Sequence, residues 1–309
     1  MQQNPRVGYA LCIITSLIWA GTSPGISLLL NHYGVPALTV AFWRDVFIAV
    51  ACMTGILLFR PAWLRMSWSD LRGFAVMGTI SVGIYHAIFV YSIALNGAAL
   101  AIVLIYLYPA FVTLGARLFF KETIGPSQVL SLLLAFVGCV LLVHAYDPAV
   151  LQVSWLGTLA GIGSAVTHAG YVLFNQRAVT KYSPWVSLAL TMTFGALFLL
   201  GLVLVVQGPA GLGGVGANGE AWLVLAVLAL GPTLGGYLLF TMSLRYIPGR
   251  IASVLVILEV PAATLLAVVF LGERMDVVQV VGMGLVILAA MLPAIALRWP
   301  RVAAARASA

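Results

Sequence analysis

Glu259 stands well inside an otherwise apolar run from Ile251 to Leu271. At ~1.5 Å per residue it lies about 12 Å along a helix of that length. If the run crosses a bilayer, an ionised carboxylate there costs on the order of 3 kcal/mol unless it is paired or faces water. Two chemistries fit: a carboxylate that holds an amino group or exchanges a proton, or a protonated carboxyl hydrogen-bonded to a neighbouring helix. Ser164, His168, Tyr171 and Asn175 recur at steps of four, three and four, which is one helical face. A shift of 149 residues carries them onto Thr15, Trp19, Thr22 and Ile26. Two such stripes facing one another would line a cavity, with His168 as its titratable member. Alternatively the hydroxyls bond back to their own helix and the rings pack as core. Ser81 and Tyr85 match Thr233 and Tyr237, each pair four residues apart; a phenol can lie against an apolar group while its hydroxyl bonds a polar one. His86 points about 100° away from Tyr85, so one of the two is expected to be central to such a cavity.

Catalytic constellations are missing. There is no His-Glu-x-x-His pair, no Gly-x-Ser-x-Gly elbow and no spaced aspartate pair. His32, His86, His144 and His168 are too scattered for ligand spacing. Cys12, Cys52 and Cys139 lie in apolar segments and read as small core residues. The expectation is no catalytic residue, no metal and no cofactor.

The elements that must position these groups follow from composition. Of 309 residues, 15 are basic and 8 acidic, and charged residues make up only 7%, against roughly 25% in a soluble domain. With 63% apolar residues and a mean hydropathy of +1.12, the surface must be solvated by lipid. The basic residues stand singly between apolar runs, so the pI near 9.6 points to no nucleic acid. Runs near the ~20 residues a membrane helix needs extend over Val7–Leu30, Pro36–Phe59, Leu71–Leu95, Ala98–Phe120 and Ser127–Ala145. Five more follow: Ser154–Asn175, Trp185–Val206, Ala221–Leu244, Ile251–Leu271 and Val277–Leu297. Asn-Gly at 96–97, Gly-Pro at 125–126, Asp-Pro at 147–148 and Pro-Gly at 248–249 punctuate them. The first run lacks the short apolar core and cleavage site of a removable signal. Thirteen of the 15 basic residues fall at the termini and after even-numbered crossings, leaving Arg44 and Arg274 on the other side. That asymmetry predicts cytoplasmic termini. Arg44, near a helix end, is expected to snorkel to the headgroups, and adjacent Asp45 lies on another face. The basic tail Arg298–Ala309 could touch anionic lipid.

A shift of 152 residues places Gly83 on Gly235, Tyr85 on Tyr237, Gly97 on Gly249 and Pro109 on Pro261. Near the start of each half, the 149-residue shift places Gly8 on Gly157, Ala20 on Ala169 and Gly21 on Gly170. The reading is an all-α membrane protein of ten transmembrane helices, in two five-helix repeats over 1–146 and 147–309. Five crossings being odd, the second repeat is inverted, an arrangement typical of secondary transporters. Pro109 and Pro261 each leave a carbonyl without a partner, at Ile105 and Ile257, which suits a hinge. Gly21/Gly25, Gly157/Gly161 and Gly231/Gly235 predict close helix approaches.

The segments Trp19-Ala20-Gly21, Phe42-Trp43-Arg44, Tyr106-Leu107-Tyr108-Pro109 with Lys121-Glu122, and Leu258-Glu259-Val260-Pro261 with Leu271-Gly272-Glu273-Arg274 carry a resemblance. The chain resembles the EamA-type members of the drug/metabolite transporter superfamily over nearly its full length. Tyr108 before the proline is similar to the aromatic amino acid exporters of that superfamily. The resemblance implies a multi-pass exporter of the inner (plasma) membrane, working by alternating access on amino acids and related small metabolites. Trp19, Tyr85, His86, Tyr108, His168, Tyr171, Tyr237 and Glu259 are the expected solute contacts. So aromatic a lining predicts loose selectivity for neutral, hydrophobic and aromatic side chains. A nucleotide-sugar carrier is the alternative within the superfamily, a membrane-embedded enzyme or a channel the alternative outside it.

Overall fold

The computed structural model describes residues 4–148, 153–271 and 274–307, and among them every regular element is helical. Seven helical stretches are long and apolar enough to cross a membrane: Pro5–Asn31, Ala37–Phe59, Trp68–Gly97, Ala99–Phe120, Pro184–Val206, Gly219–Ser243 and Gly249–Leu266. Pro126–Leu142 and Val277–Pro293 are apolar but shorter. The helix Trp155–Lys181 is 27 residues long but less apolar, because its inward face carries the Ser164, His168 and Asn175 stripe. Gly272 and Glu273 of the motif at 271–274 lie outside the described residues, as do Ser308 and Ala309 of the basic tail.

Local chemistry sets the helix starts. Asn4 accepts from the Arg6 N–H, Ser67 from Asp70, and Asn218 from Glu220 and Ala221. Pro5, Pro126 and Pro184 occupy first turns, where the missing N–H costs nothing. Gly97, at φ 75° and ψ 164°, turns the chain between two spans, a conformation that favours glycine. The preceding Asn96 accepts from the Ser154 N–H at 2.8 Å, fastening this turn to the start of Trp155–Lys181.

Pro5–Trp19 packs on Leu234–Ser243, and Trp155–Lys181 packs on Tyr85–Ile105. Ala37–Phe59 lies against Pro184–Val206, and Pro126–Leu142 against the helix from Val277. The last pair touches backbone to backbone: a Cβ on Gly138 would lie 2.7 Å from the Gly282 carbonyl oxygen, and one on Gly282 would lie 2.8 Å from that of Gly138. Ser131 donates to the Ala289 carbonyl across the same seam at 2.6 Å. Gly157 and Gly161 seat Asn96, Leu104 and Ser92 as close-approach positions should, and Gly25 seats Leu228. Gly21, Gly231 and Gly235 do not act this way, because nothing presses closer than 3.8 Å on any of them.

Several helices are interrupted. Pro5–Asn31 breaks at Ala20–Gly21, and Tyr106–Leu107 separates two helical halves. A 3₁₀ turn at Val256–Leu258 precedes Glu259, while π-helical turns occupy Thr79–Ile84 and Ala229–Thr233. Pro109 and Pro261 lie in the first turn of the helices that resume after two of these breaks. There a proline is tolerated and does not kink a continuous helix.

Candidate functional site

The interruptions gather around one cavity of about 70 Å³. The break at Ala20–Gly21 presents Trp19, Thr22 and Ser23 to it, and the π turns present Tyr85 and His86 on one side and Thr233 and Tyr237 on the other. Tyr106 lies in the break at 106–107 and Tyr108 follows it, and Glu259 follows the 3₁₀ turn. Irregular backbone at membrane depth is tolerated where it lines such a space. π turns, rare elsewhere, are frequent at functional sites.

His168, from the unbroken helix Trp155–Lys181, is the hub. Its ring centroid lies 4.7 Å from Tyr108, edge-on, and 4.8 Å from Tyr85. Trp19 and Tyr237 approach at 6.4 and 6.2 Å, also edge-on. Tyr171 stacks behind it at 6.0 Å and spends its hydroxyl on Thr241 at 2.9 Å, so it supports the histidine without lining the cavity. The rest of that stripe is committed to structure: Ser164 donates to the Gly161 carbonyl, and Asn175 donates to the Tyr171 carbonyl and accepts from Ser187. On the matching stripe, Trp19 and Thr22 reach the cavity, while Thr15 bonds back to Leu11 and Ile26 joins the core.

Seven of the eight contact residues expected from the sequence thus line one space: Trp19, Tyr85, His86, Tyr108, His168, Tyr237 and Glu259. Tyr85 and His86 both reach it, where one was expected, because the cavity wraps around the start of their helix and their rings lie 4.9 Å apart. Val260 turns into the core and leaves Glu259 facing the cavity. Glu259 accepts from the Tyr106 hydroxyl at 2.8 Å on Oε2, and Tyr108 donates to the Ser253 carbonyl at 3.0 Å.

Sequence reasoning missed three features. Arg44 does not snorkel: it is 2% exposed and lines the cavity, because its helix is packed against both Pro184–Val206 and Tyr85–Ile105. Asp45, fully buried, faces His86 Nδ1 at 2.7 Å, and His86 Nε2 lies 3.2 Å from the Tyr237 hydroxyl. Tyr106, within the break, is visible in the sequence only as part of a motif. Three polar atoms at the cavity have no hydrogen-bond partner among the described residues: Thr22 Oγ1, Arg44 Nε and His168 Nδ1. Buried polar atoms are rarely left so; all three belong to residues that line the cavity, where water or a solute can reach them.

The profile of the EamA-like transporter family matches residues 6–144 and again 155–294. An "Uncharacterized transporter" of Archaeoglobus fulgidus is 28% identical over 290 residues, covering 93% of this chain and 96% of the relative. A "Probable terminal-alkyne amino-acid exporter" of Streptantibioticus cattleyicolor is 26% identical over 281 residues, with 91% of each chain covered. A crystal structure shares the fold with a TM-score of 0.78 at 20% identity, over 94% of this chain and 97% of the other. With the family profile matched along nearly its whole length, the chain belongs to the EamA-like transporter family, a family of membrane transporters.

Proposed function

We propose that this transporter exports amino acids, chiefly neutral and aromatic ones, and related small metabolites across the inner (plasma) membrane by alternating access. The observation that carries this reading is the cavity itself: an aromatic wall around His168, a single carboxyl at Glu259, and helix breaks from both halves of the chain converging on it. The name of the Streptantibioticus cattleyicolor relative supports both the substrate class and the direction.

The topology that goes with it has ten crossings. These are the seven long apolar stretches together with Pro126–Leu142, Trp155–Lys181 and Val277–Pro293, with both termini cytoplasmic. Two inverted repeats, 1–146 and 147–309, are supported by the packing. Exchanging the halves turns the contact of Pro5–Trp19 with Leu234–Ser243 into that of Trp155–Lys181 with Tyr85–Ile105. Rocking one half on the other, with bending at the breaks beside Pro109 and Pro261, would open the cavity to alternate sides. At about 70 Å³ it holds a few waters, so loading a solute requires it to widen. A nucleotide sugar fits poorly, since its phosphates would meet one arginine and a carboxyl.

Glu259 is proposed to hold the amino group or to exchange a proton. Protein in liposomes is expected to move labelled neutral amino acids saturably, with hydrophobic and aromatic side chains preferred. Glu259→Gln keeps size and hydrogen bonding but removes the charge and the titratable proton. Transport should fall sharply, or lose its pH dependence, while expression and thermal stability stay normal. A Gln variant that transports like the parent at every pH would make Glu259 structural, and strict preference for acidic or basic solutes would overturn the substrate class.

A further inference from the structure

Arg44 has no counter-charge of its own. Its side chain is buried, its Nε lacks a hydrogen-bond partner, and no carboxylate among the described residues lies within ion-pair distance. The neighbouring Asp45 is committed to His86. A buried unpaired guanidinium is strongly unfavourable, and this one borders the same cavity as Glu259. Among the described residues Glu259 in turn uses only Oε2, toward Tyr106, and no hydrogen bond engages Oε1. The cavity therefore holds one cation and one carboxyl with unused bonding capacity, inside an aromatic wall.

We propose that Arg44 is the receptor for the solute's carboxylate, so that the site reads a zwitterion: carboxylate on Arg44, ammonium on Glu259, side chain among the rings. Guanidinium presents a planar fork of donors matched to two carboxylate oxygens. Thr22 Oγ1, also unpaired at the cavity, is a further donor for the same group. The assignment rests on the amino-acid reading above and adds a requirement to it. A solute must carry a free carboxylate, and an amide or ester of the same amino acid is rejected despite an identical side chain.

The test uses proteoliposomes and labelled phenylalanine, competed by unlabelled phenylalanine, phenylalaninamide, phenylalanine methyl ester and phenethylamine. For the unaltered protein the amide, ester and amine should each compete about ten- to a hundredfold more weakly than the acid, the loss expected for one hydrogen-bonded charge. Arg44→Gln should abolish that preference, and Arg44→Lys should retain part of it, which separates recognition from simple loss of packing. Should Arg44→Gln not fold, the competition series on the unaltered protein decides alone. Equal competition by acid and amide overturns the Arg44 assignment while leaving amino-acid transport standing, as does a preference that survives in a folded Arg44→Gln protein. If the unaltered protein moves no amino acid, the underlying reading falls and this assignment with it.

Discussion

His86 is engaged at both ring nitrogens, with Asp45 at Nδ1 and the Tyr237 hydroxyl at Nε2. Toward an ionised Asp45 the ring donates at Nδ1, and as a neutral imidazole it then accepts from the phenol at Nε2. Asp45 thereby sets the orientation of a ring on the cavity wall, one step removed from the cavity. Asp45→Asn removes the charge but keeps the shape, and should lower stability by about 1.5–3 kcal/mol. Asp45→Ala strands His86 and should cost more; thermal unfolding in detergent orders the two variants. Period-based reading paired Trp19 with His168 because a helical stripe fixes azimuth, and the repeat match paired Tyr85 with Tyr237; the structure sets all four on one cavity wall. It failed on Arg44 because azimuth does not tell which neighbour a face meets. Arg44 lies close to a helix end, where lipid headgroups were the nearest obvious partner, and only the packing of its helix on two others turns it inward.

At the scale of elements, the prolines at 109 and 261 announced two of the interruptions, and the structure sets them just past the breaks. The π turns at Thr79–Ile84 and Ala229–Thr233 left no comparable mark, since one extra residue in a helical turn needs no special residue type. Only Pro232 hints at the second. Their consequence is concrete, because they set the rotation of Tyr85 and Tyr237 about their helices. Next to the second π turn, Gly236 makes room for the Trp19 ring: a Cβ there would lie 2.1 Å from Trp19 Nε1. Helix Pro5–Trp19 can approach Leu234–Ser243 only because position 236 is bare. Gly236→Ala should force the indole away, with a stability loss of about 1–3 kcal/mol. Its transport defect should be largest for aromatic solutes, and Trp19→Phe in the same background, a smaller ring, should recover part of both. A Gly236→Ala protein with parental stability and substrate range would show that the indole adapts freely.

The whole molecule is tied together at one end by a polar belt. Glu122 accepts from Arg250 Nε and from Gln176 Nε2, Gln176 accepts from the Gly249 N–H, and Gln128 donates to the Arg250 carbonyl. Four stretches from the two proposed repeats meet there: the end of Ala99–Phe120 and the start of Pro126–Leu142 from one, the helix Trp155–Lys181 and the start of the helix at Gly249 from the other. The charge alternation in the sequence puts this end in the cytoplasm under the proposed topology. It could not reveal the belt, because Glu122 and Arg250 are far apart in the chain and look like two ordinary loop charges. Ser253, one turn beyond Arg250, is buried and its carbonyl accepts from Tyr108, so under the proposed alternating access the belt would close this end of the cavity. Glu122→Gln should weaken the closure. Both partners of the ion pair are largely shielded, so losing one or two kcal/mol should change the open population by about 5- to 30-fold. A cysteine at Ser253 reports it, as the native cysteines are buried. Its labelling by a membrane-impermeant maleimide, applied from the cytoplasmic side, should accelerate in the Glu122→Gln background. Exchanging the charges, Glu122→Arg with Arg250→Glu, should restore slow labelling. An unchanged rate in Glu122→Gln would mean that the belt holds the halves together without governing which way the cavity opens.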